Sequence, residues 1–223
     1  MMTATLQTTA LEPQDHVPAA VAGAKRAVDI VGALVGLTLA APLLPLIALA
    51  IKLDSKGPVL FRQLRVGQAK AQVTELFEMI KFRSMTTDAE AASGAVWATK
   101  TDPRVTRVGR FLRKTRLDEI PQLINVLRGE MSLVGPRPER PGFYDKLEQA
   151  IPFYAERTGG LRPGITGLAQ VFQGYDASIE DVRSKVAYDH SYAAALGSFR
   201  AWITMDVLVI WKTVGVVFGA RGQ

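Results

Sequence analysis

The stretch that decides the fold is "AVDIVGALVGLTLAAPLLPLIALAIKL", residues 27–53, uncharged from Ile30 to Ile51. A bilayer-spanning helix needs about 20 apolar residues, so this run is long enough to enter a membrane. Two features argue against a plain crossing. Pro42 and Pro45 fall in its middle, where each removes a backbone donor and bends or breaks the helix. Basic residues flank both ends, Lys25 and Arg26 before it and Lys52 and Lys56 after it. The positive-inside bias places both flanks on the cytoplasmic side. A helix that enters, kinks at the prolines and returns to the same face satisfies both observations. A spanning helix with a tolerated proline kink is the alternative. Asp29 is expected to pair with Arg26 at the interface, which would ease its burial.

Ahead of this run, residues 1–24 are rich in Thr, Ala and Gln, contain Pro13 and Pro18, and read as a flexible tail. A secretory signal is not expected, because the apolar run starts only after Lys25-Arg26 and is too long for a signal-peptide core. Behind it, "SKGPVLFRQLRVG" (55–67) predicts a turn at Gly57-Pro58 and a strand, and "FEMIKFRSM" (77–85) a second short strand. Residues 86–103 read as a loop with a helical start. Residues 105–127 are helical in two pieces divided near Asp118, and "GEMSLVGPRPERPG" (129–142) is a proline-rich connection. Helices are expected over 142–158 and 179–196, with a turn and strand in "LRPGITGLAQV" (161–171) between them. The last segment, 199–218, is apolar and aromatic but carries Asp206 and Lys212, which makes a second crossing costly. An amphipathic helix lying at the headgroup level, its tryptophans at the interface, is the cheaper arrangement. An ordinary core helix is the alternative.

The chain has 223 residues, a net charge of +6 and a pI near 9.7. That balance favours an anionic partner: a phosphorylated small molecule, an acidic membrane surface or nucleic acid. It contains no cysteine and only two histidines, His16 and His190. Thiol nucleophiles, disulfides and cysteine-ligated zinc are excluded, and no histidine-rich metal site is expected.

The basic residues concentrate in "RVTRVGRFLRKTR" (104–116), with arginine at every third position: Arg104, Arg107, Arg110, Arg113 and Arg116. The run reads as a solvated helix face, a nucleic-acid stripe, or a stripe for phosphate and membrane surface. Arginine suits a diphosphate because its planar fork donates bidentately. Two carboxylates end the run, in "TRLDEIPQL" (115–123). With Asp118 as N-cap, Pro121 falls at the third helical position, where its missing N–H costs little. Ile120, Leu123, Ile124 and Leu127 then form the buried face, and Gly129 closes the helix. A positive helix end and the neighbouring Arg113 and Arg116 should both favour an ionised Asp118. Adjacent residues point about 100° apart on a helix, so Asp118 and Glu119 are expected to play different parts.

Taken in order, "KRAVD" (25–29), the Ala-Pro kink at 41–42, "KGPVLFRQLRVG" (56–67), "KFRSM" (81–85), the block from Asp102 to Glu139, "RPGITGLAQV" (162–171) and "YDHSY" (188–192) resemble the bacterial sugar transferases. These are the monotopic polyprenyl-phosphate hexose-1-phosphate transferases, or phosphoglycosyl transferases. The resemblance covers about residues 25–218. It implies an enzyme at the bacterial inner membrane, catalytic on the cytoplasmic face, that moves a sugar-1-phosphate from a UDP-sugar to undecaprenyl phosphate and releases UMP. By the same resemblance Asp118 is the nucleophile of a covalent phosphosugar-aspartyl intermediate, Glu119 holds Mg²⁺, and Arg113 contacts phosphate. "GPRPE" (135–139) corresponds to the motif at the nucleotide end, with Arg137 held rigidly between Pro136 and Pro138. Lys81 and Arg162 are further candidates for phosphate contacts.

The expected architecture is α+β and mainly helical. A flexible tail (1–24) precedes a re-entrant membrane helix (25–55), followed by a small cytoplasmic-face catalytic domain (56–223) with short strands and interfacial helices. The implied partners are the UDP-sugar, the polyprenyl phosphate and the lipid bilayer, with no nucleic acid, and a homo-oligomer is left open. Two departures from the family pattern stand out. "QAKAQVTEL" (68–76) is longer than the expected turn, and Leu168 replaces a tryptophan with consequences expected for membrane contact. The chain resembles the minimal catalytic unit, without the extra N-terminal membrane domain of larger relatives. The competing functional readings are a membrane-anchored, non-catalytic basic module binding anionic lipid or nucleic acid, and a metal-dependent hydrolase of lipid diphosphates.

Overall fold

The computed structural model describes residues 17–70, 73–87, 89, 102–173 and 178–218. Most of the expected tail and of the expected 86–103 loop lies outside them, as does His16. The fold is mainly helical with two small sheets.

Helix α1 (Ala19–Ala40) begins inside the segment expected as tail. Its Ala-rich start favours helix, and Val21 packs into a core with Val134, Tyr192 and Trp202. The helix stops at Ala41-Pro42-Leu43, and α2 (Leu44–Asp54) carries Pro45 in its first turn, where proline is tolerated. The two helices are bent by 64° at this break. Among the described residues no single helix is long and apolar enough to cross a membrane, and this bent pair passes the test only together. Much of its surface is apolar and exposed, including Val31, Leu34, Leu39, Leu46 and Leu53. The expected Asp29–Arg26 pair does not form. Asp29 is buried and accepts from the Ser132 hydroxyl and the Leu133 N–H at 2.9 Å each, while Arg26 donates to the carbonyls of Val126 and Leu127. Both residues therefore tie α1 to the domain behind it.

Strands β1 (Leu60–Lys70) and β2 (Val73–Phe82) pair antiparallel, from Leu60↔Phe82 to Lys70↔Val73, with an irregularity between Val66 and Ala69. Both exceed the short strands expected, because residues 68–70 and 73–76 of "QAKAQVTEL" are strand, past the bulge. Helix α3 (Arg107–Thr115) and a 3₁₀ turn (Leu117–Glu119) lead to α4 (Gln122–Arg128) and β3 (Ser132–Val134). After α5 (Pro141–Ala150) and a second 3₁₀ turn (Ala155–Thr158) comes β4 (Gly164–Thr166), parallel to β3. A Cβ on Gly164 would lie 2.2 Å from the Gly135 nitrogen, so this crossing demands glycine. The helix expected over 142–158 is thus split, since Ile151 and the left-handed Phe153 (φ 60°) interrupt it.

Helices α6 (Leu168–Gln173), α7 (Ile179–Ala195) and α8 (Phe199–Phe218) complete the fold. Leu168 is buried with Val134 and Tyr192, so its contacts are internal rather than with a membrane. Helix α8 buries one carboxylate on its inward side and leaves several apolar side chains outward. Trp202, Asp206 and Val209 are buried, whereas Val207, Ile210 and Trp211 are exposed. Trp202 is a core residue whose indole N–H donates to Asp206 at 2.8 Å, which corrects its expected place at an interface. Lys25 of α1 and Tyr192 of α7 also hold Asp206, at 2.9 and 2.8 Å. A carboxylate so buried requires that pairing.

Candidate active site

The arginine stripe is divided by local structure. Arg104 pairs with Asp102 at 2.6 Å before the helix begins. Thr106 caps α3 by accepting from the Gly109 N–H, and Asp54 at the end of α2 accepts from the Val108 N–H. These contacts hold the Asp54 carboxyl below its usual range, the Thr106 hydrogen bond contributing most. Gly109 lets α3 press on β2's continuation, where a Cβ would sit 2.0 Å from the Ser84 oxygen. Arg83 of "KFRSM" is buried and donates to the carbonyls of Lys56, Ser55 and Ile51, closing the end of α2. Arg107 and Arg110 face outward, while Arg113 is half-buried in the last turn.

Arg116 then takes a left-handed conformation, φ 59° and ψ 12°. Such a backbone is uncommon outside glycine and often marks a functional site. It turns the chain from α3 into Leu117–Glu119 and brings its own side chain over that turn. Asp118 is therefore not the N-cap of a helix, as the sequence suggested, but the middle of the 3₁₀ turn. Pro121 stands at the N-cap of α4 rather than at its third position, and Gly129 closes the helix with φ 82° as expected. The fully buried face of α4 is Gln122, Asn125 and Val126, with the expected leucines only partly covered. Asn125 explains the difference. Its amide accepts from the Ile80 N–H and donates to the Glu78 carbonyl, satisfying the open edge of β2.

The two acids are buried and unequal. One oxygen of Glu119, Oε1, meets Lys81 Nζ at 3.2 Å, Arg116 at 3.5 Å and Arg137 at 3.7 Å. Burial opposes its charge, but Lys81, Arg137 and Arg116 more than offset this and bring Glu119 down to about 2. Asp118 moves the other way. Burial first and the neighbouring Glu119 second raise it to about 6, against the pull of Lys81, Arg116 and Arg113. The expectation that helix end and arginines would favour its ionised form is corrected by the cost of desolvation. Asp118 Oδ1 is buried and has no hydrogen-bond partner among the described residues. Lys81 is itself lowered by burial, with Glu119 the main opposing influence.

Arg137 is presented by a loop whose carbonyls are all engaged. Gly164 N–H donates to Pro136 at 2.8 Å, Arg157 to Arg137 at 3.5 Å, Arg65 to Pro138 at 2.9 Å and Val66 N–H to Glu139 at 2.8 Å. Arg157 is in turn held by Asp189 of "YDHSY" and the Tyr154 hydroxyl, at 2.9 Å each. Arg162 lies elsewhere, donating to the Gly129 carbonyl at the far end of α4. The structure thus gathers Lys81, Asp118, Glu119 and Arg137 together, with Arg113 acting on Asp118 through its charge, and leaves Arg162 at a helix terminus.

Sequence reasoning missed Arg65, whose buried guanidinium is brought down to about 9 by burial and then by Arg137. Arg157 was missed as well, and no spacing tied it to Asp189. A polar residue on the core face of α4 was the available signal for Asn125. Two cavities lie near the site, one beside Arg137 and one that reaches Glu119. One, of about 30 Å³, has room for about one water and is lined by Arg137, Arg157, Lys185 and Asp189 among others. The other, of about 210 Å³, runs from Arg116 and Glu119 along Ile120, Leu123, Ile165 and Val171 to Thr213 of α8.

Comparison with known proteins gives the family of the chain. The bacterial sugar transferase family matches residues 20–220. An Aeromonas hydrophila UDP-N-acetylgalactosamine-undecaprenyl-phosphate N-acetylgalactosaminephosphotransferase is 46% identical over 200 residues, 88% of this chain and 45% of that protein. A Caulobacter vibrioides UDP-glucose:undecaprenyl-phosphate glucose-1-phosphate transferase is 45% identical, covering 85% of this chain and 68% of the relative. The exopolysaccharide production protein PSS of Rhizobium leguminosarum bv. phaseoli is 44% identical over 85% of this chain and 92% of its own length. The chain spans under half of the first of these and most of the last. With a family match over nearly its whole length, this chain belongs to the bacterial sugar transferases.

Proposed function

We propose that this protein transfers a sugar-1-phosphate from a UDP-sugar to undecaprenyl phosphate or a similar polyprenyl phosphate, releasing UMP, at the start of exopolysaccharide or glycoconjugate assembly. The observation that carries the reading is the division of labour between two adjacent buried acids. Glu119 is clamped by Lys81, Arg116 and Arg137, while Asp118 keeps an oxygen with no hydrogen-bond partner among the described residues.

An Asp118 oxygen attacks the phosphorus that bears the sugar. The bond from that phosphorus to the bridging oxygen breaks, and the electron pair leaves with UMP. Ionised Asp118 has no proton to lose, so this step needs no separate base. In the second step an oxygen of the polyprenyl phosphate attacks the same phosphorus, the bond to Asp118 breaks, and the carboxylate is restored. Phosphoryl transfer asks mainly for positioning and charge neutralisation. Lys81, Arg113, Arg116 and Arg137 supply the positive charge, and Pro136 and Pro138 stiffen the loop that presents Arg137.

The residues present fit a Mg²⁺ ion. This cation commonly takes one or two carboxylates and completes its shell with substrate phosphates and water. Glu119 would hold it, beside the unpartnered Asp118 oxygen. Among the described residues no cluster of three or more acidic, His or Cys side chains offers an all-protein cage. Bound there, the ion would neutralise charge on the diphosphate.

The bent pair α1–α2 acts as the re-entrant anchor, and the apolar face of α8 lies in the interface of the inner membrane, with the acids on the cytoplasmic side. An apolar groove that ends on Arg116 and Glu119 suits a lipid phosphate better than a soluble acceptor. Single-turnover incubation with UDP-sugars and no acceptor should yield UMP and a phosphosugar adduct on Asp118, and undecaprenyl phosphate should then discharge it. UMP formation by Asp118→Asn at the native rate would sink the assignment. Tags at residues 20 and 60 should report the same side of the membrane.

A further inference from the structure

Arg137 is bracketed by two arginines that hold its loop in the same way and are balanced differently. Arg157 donates to the Arg137 carbonyl and to Asp189 at 2.9 Å, so a carboxylate offsets its charge. Arg65, in β1, donates to the next carbonyl, that of Pro138, at 2.9 Å and to the Gln63 side-chain oxygen at 2.7 Å. Both acceptors are neutral, and among the described residues Arg65 forms no ion pair. Its Nε is buried and has no acceptor among them. Charges farther off do not balance it either. Burial disfavours the Arg65 cation most, Arg137 and Arg140 add to this, and Glu139 and Glu119 compensate only in part. Arg65 in turn disfavours the charge of Lys81. It therefore lies within electrostatic reach of both Lys81 and Arg137, which meet Glu119 Oε1 at 3.2 and 3.7 Å.

Holding a loop carbonyl asks only for a hydrogen-bond donor, and a neutral donor would avoid the cost of burying an unbalanced cation. A water molecule on Nε would satisfy that N–H and leave the charge as it is. An anion beside Lys81 and Arg137 would balance it. We propose that Arg65 is a positioning residue for the donor's phosphates: it fixes the loop that carries Arg137, and its charge, uncompensated in the free protein, is matched when the nucleotide sugar binds. The inference rests on the reading of Asp118 as the phosphosugar acceptor, which places the diphosphate beside those cations. It goes beyond that reading in giving a role to a guanidinium whose fork the protein already engages. Every UDP-sugar carries the same diphosphate, so the effect is independent of the sugar.

Substitutions in the full-length protein in detergent separate the charge from the hydrogen bond. Lysine keeps a charge and a donor, glutamine keeps a donor only, and methionine keeps neither. Binding of UMP and of uridine is measured by calorimetric titration, and adduct formation from UDP-sugars by single turnover. Arg65→Lys should bind UMP within about threefold of the native protein. Arg65→Gln and Arg65→Met should each bind UMP about tenfold or more weakly, with uridine affinity unchanged within about twofold, because the uncharged nucleoside does not sense the cation. Adduct formation at low donor concentration should fall by the same factor for every UDP-sugar that the native protein accepts. A role confined to holding the loop predicts instead that Arg65→Gln binds UMP as well as Arg65→Lys, and that result overturns the inference. Equal losses for UMP and uridine overturn it too, by assigning Arg65 to the shape of the site. If the neutral variants do not fold, Gln63→Leu decides, since it frees one arm of the fork and leaves the charge. UMP affinity within about threefold of native then upholds the inference, and a loss of about tenfold overturns it. A native protein that neither binds UMP nor releases it from any UDP-sugar refutes the underlying reading instead, and that control tells the two failures apart.

Discussion

Two clusters of buried charge are built in opposite ways. Around Asp206, each carboxylate oxygen has donors: Lys25 and Trp202 on one, Tyr192 on the other. Those donors come from α1, α7 and α8 itself, so the cluster staples the apolar-surfaced helices to the strand that leads into Arg137. At the acid pair, cations crowd Glu119, and Asp118 keeps a buried oxygen with no partner among the described residues. A satisfied buried charge holds architecture together, and an unsatisfied one stores reactivity at a cost in stability. Substitutions that separate these roles would break or sharpen the contrast.

The largest effect belongs to Asp118→Asn. The reacting oxygen is lost while volume and packing are kept, so UMP release should fall by about 10³-fold or more with no adduct trapped. Asp206→Ala should do the reverse. It strands Lys25 and two buried donors, and breaking a buried pair in this way costs about 3–5 kcal/mol. The melting temperature in detergent should drop by roughly 10 °C, while the molecules still folded at low temperature keep most of their turnover rate. Equal loss of rate in both variants would mean that the Asp206 cluster also shapes the reacting site.

Much of the fold was readable in local patterns, and less of the site was. The proline break at 41–45, the glycine closing α4 and the existence of two strands between Gly57 and Arg83 follow from backbone rules that act within a few residues. Asp29, Arg26, Arg83 and Asn125 were not readable in the same way, because each serves a backbone group or side chain far away in sequence. Asp29, for example, bonds Ser132 and Leu133, a hundred positions on. The acid pair itself was visible from its neighbours, yet its electrostatics were misjudged. Nearby arginines can be counted in a sequence, whereas the desolvation that outweighs them at Asp118 appears only after folding.

The cation clamp predicts an intermediate effect. Lys81→Met removes the nearest partner of Glu119, leaving Arg116 and Arg137 at 3.5 and 3.7 Å. Glu119 should then hold its charge less firmly and substrate phosphate lose a cation, so UMP release should fall by about 10–100-fold. An undiminished rate would show that Lys81 serves only to cover Glu119. The pH profile of adduct formation should be gentler still. Asp118 must be ionised to attack, and it is raised to about 6. The rate should therefore be flat above about pH 7 and lose about tenfold for each unit below pH 6. A profile flat down to pH 5 would place the titration of Asp118 lower and weaken the contrast with Glu119.

The smallest effect is on stability, and it has a distinctive sign. A carboxyl raised from 3.8 to about 6 binds its proton more tightly in the folded state than in the unfolded chain. Its ionised form therefore destabilises the fold, fully above about pH 6 and not at all below about pH 4. Asp118→Asn replaces it with a neutral isostere. At pH 7.5 the variant should melt above the native protein by about 2–4 °C, the shift that about 1 kcal/mol produces in a chain of this length. The difference should shrink from pH 6 downward and vanish near pH 4, where native Asp118 is itself neutral. Glu119→Gln should behave oppositely at pH 7.5, because Glu119 is lowered and its charge is matched by three cations. Removing that charge leaves Lys81, Arg116 and Arg137 facing one another, so this variant should melt below the native protein. If both variants shift in the same direction, the two acids are not divided into a reactive member and a clamped one.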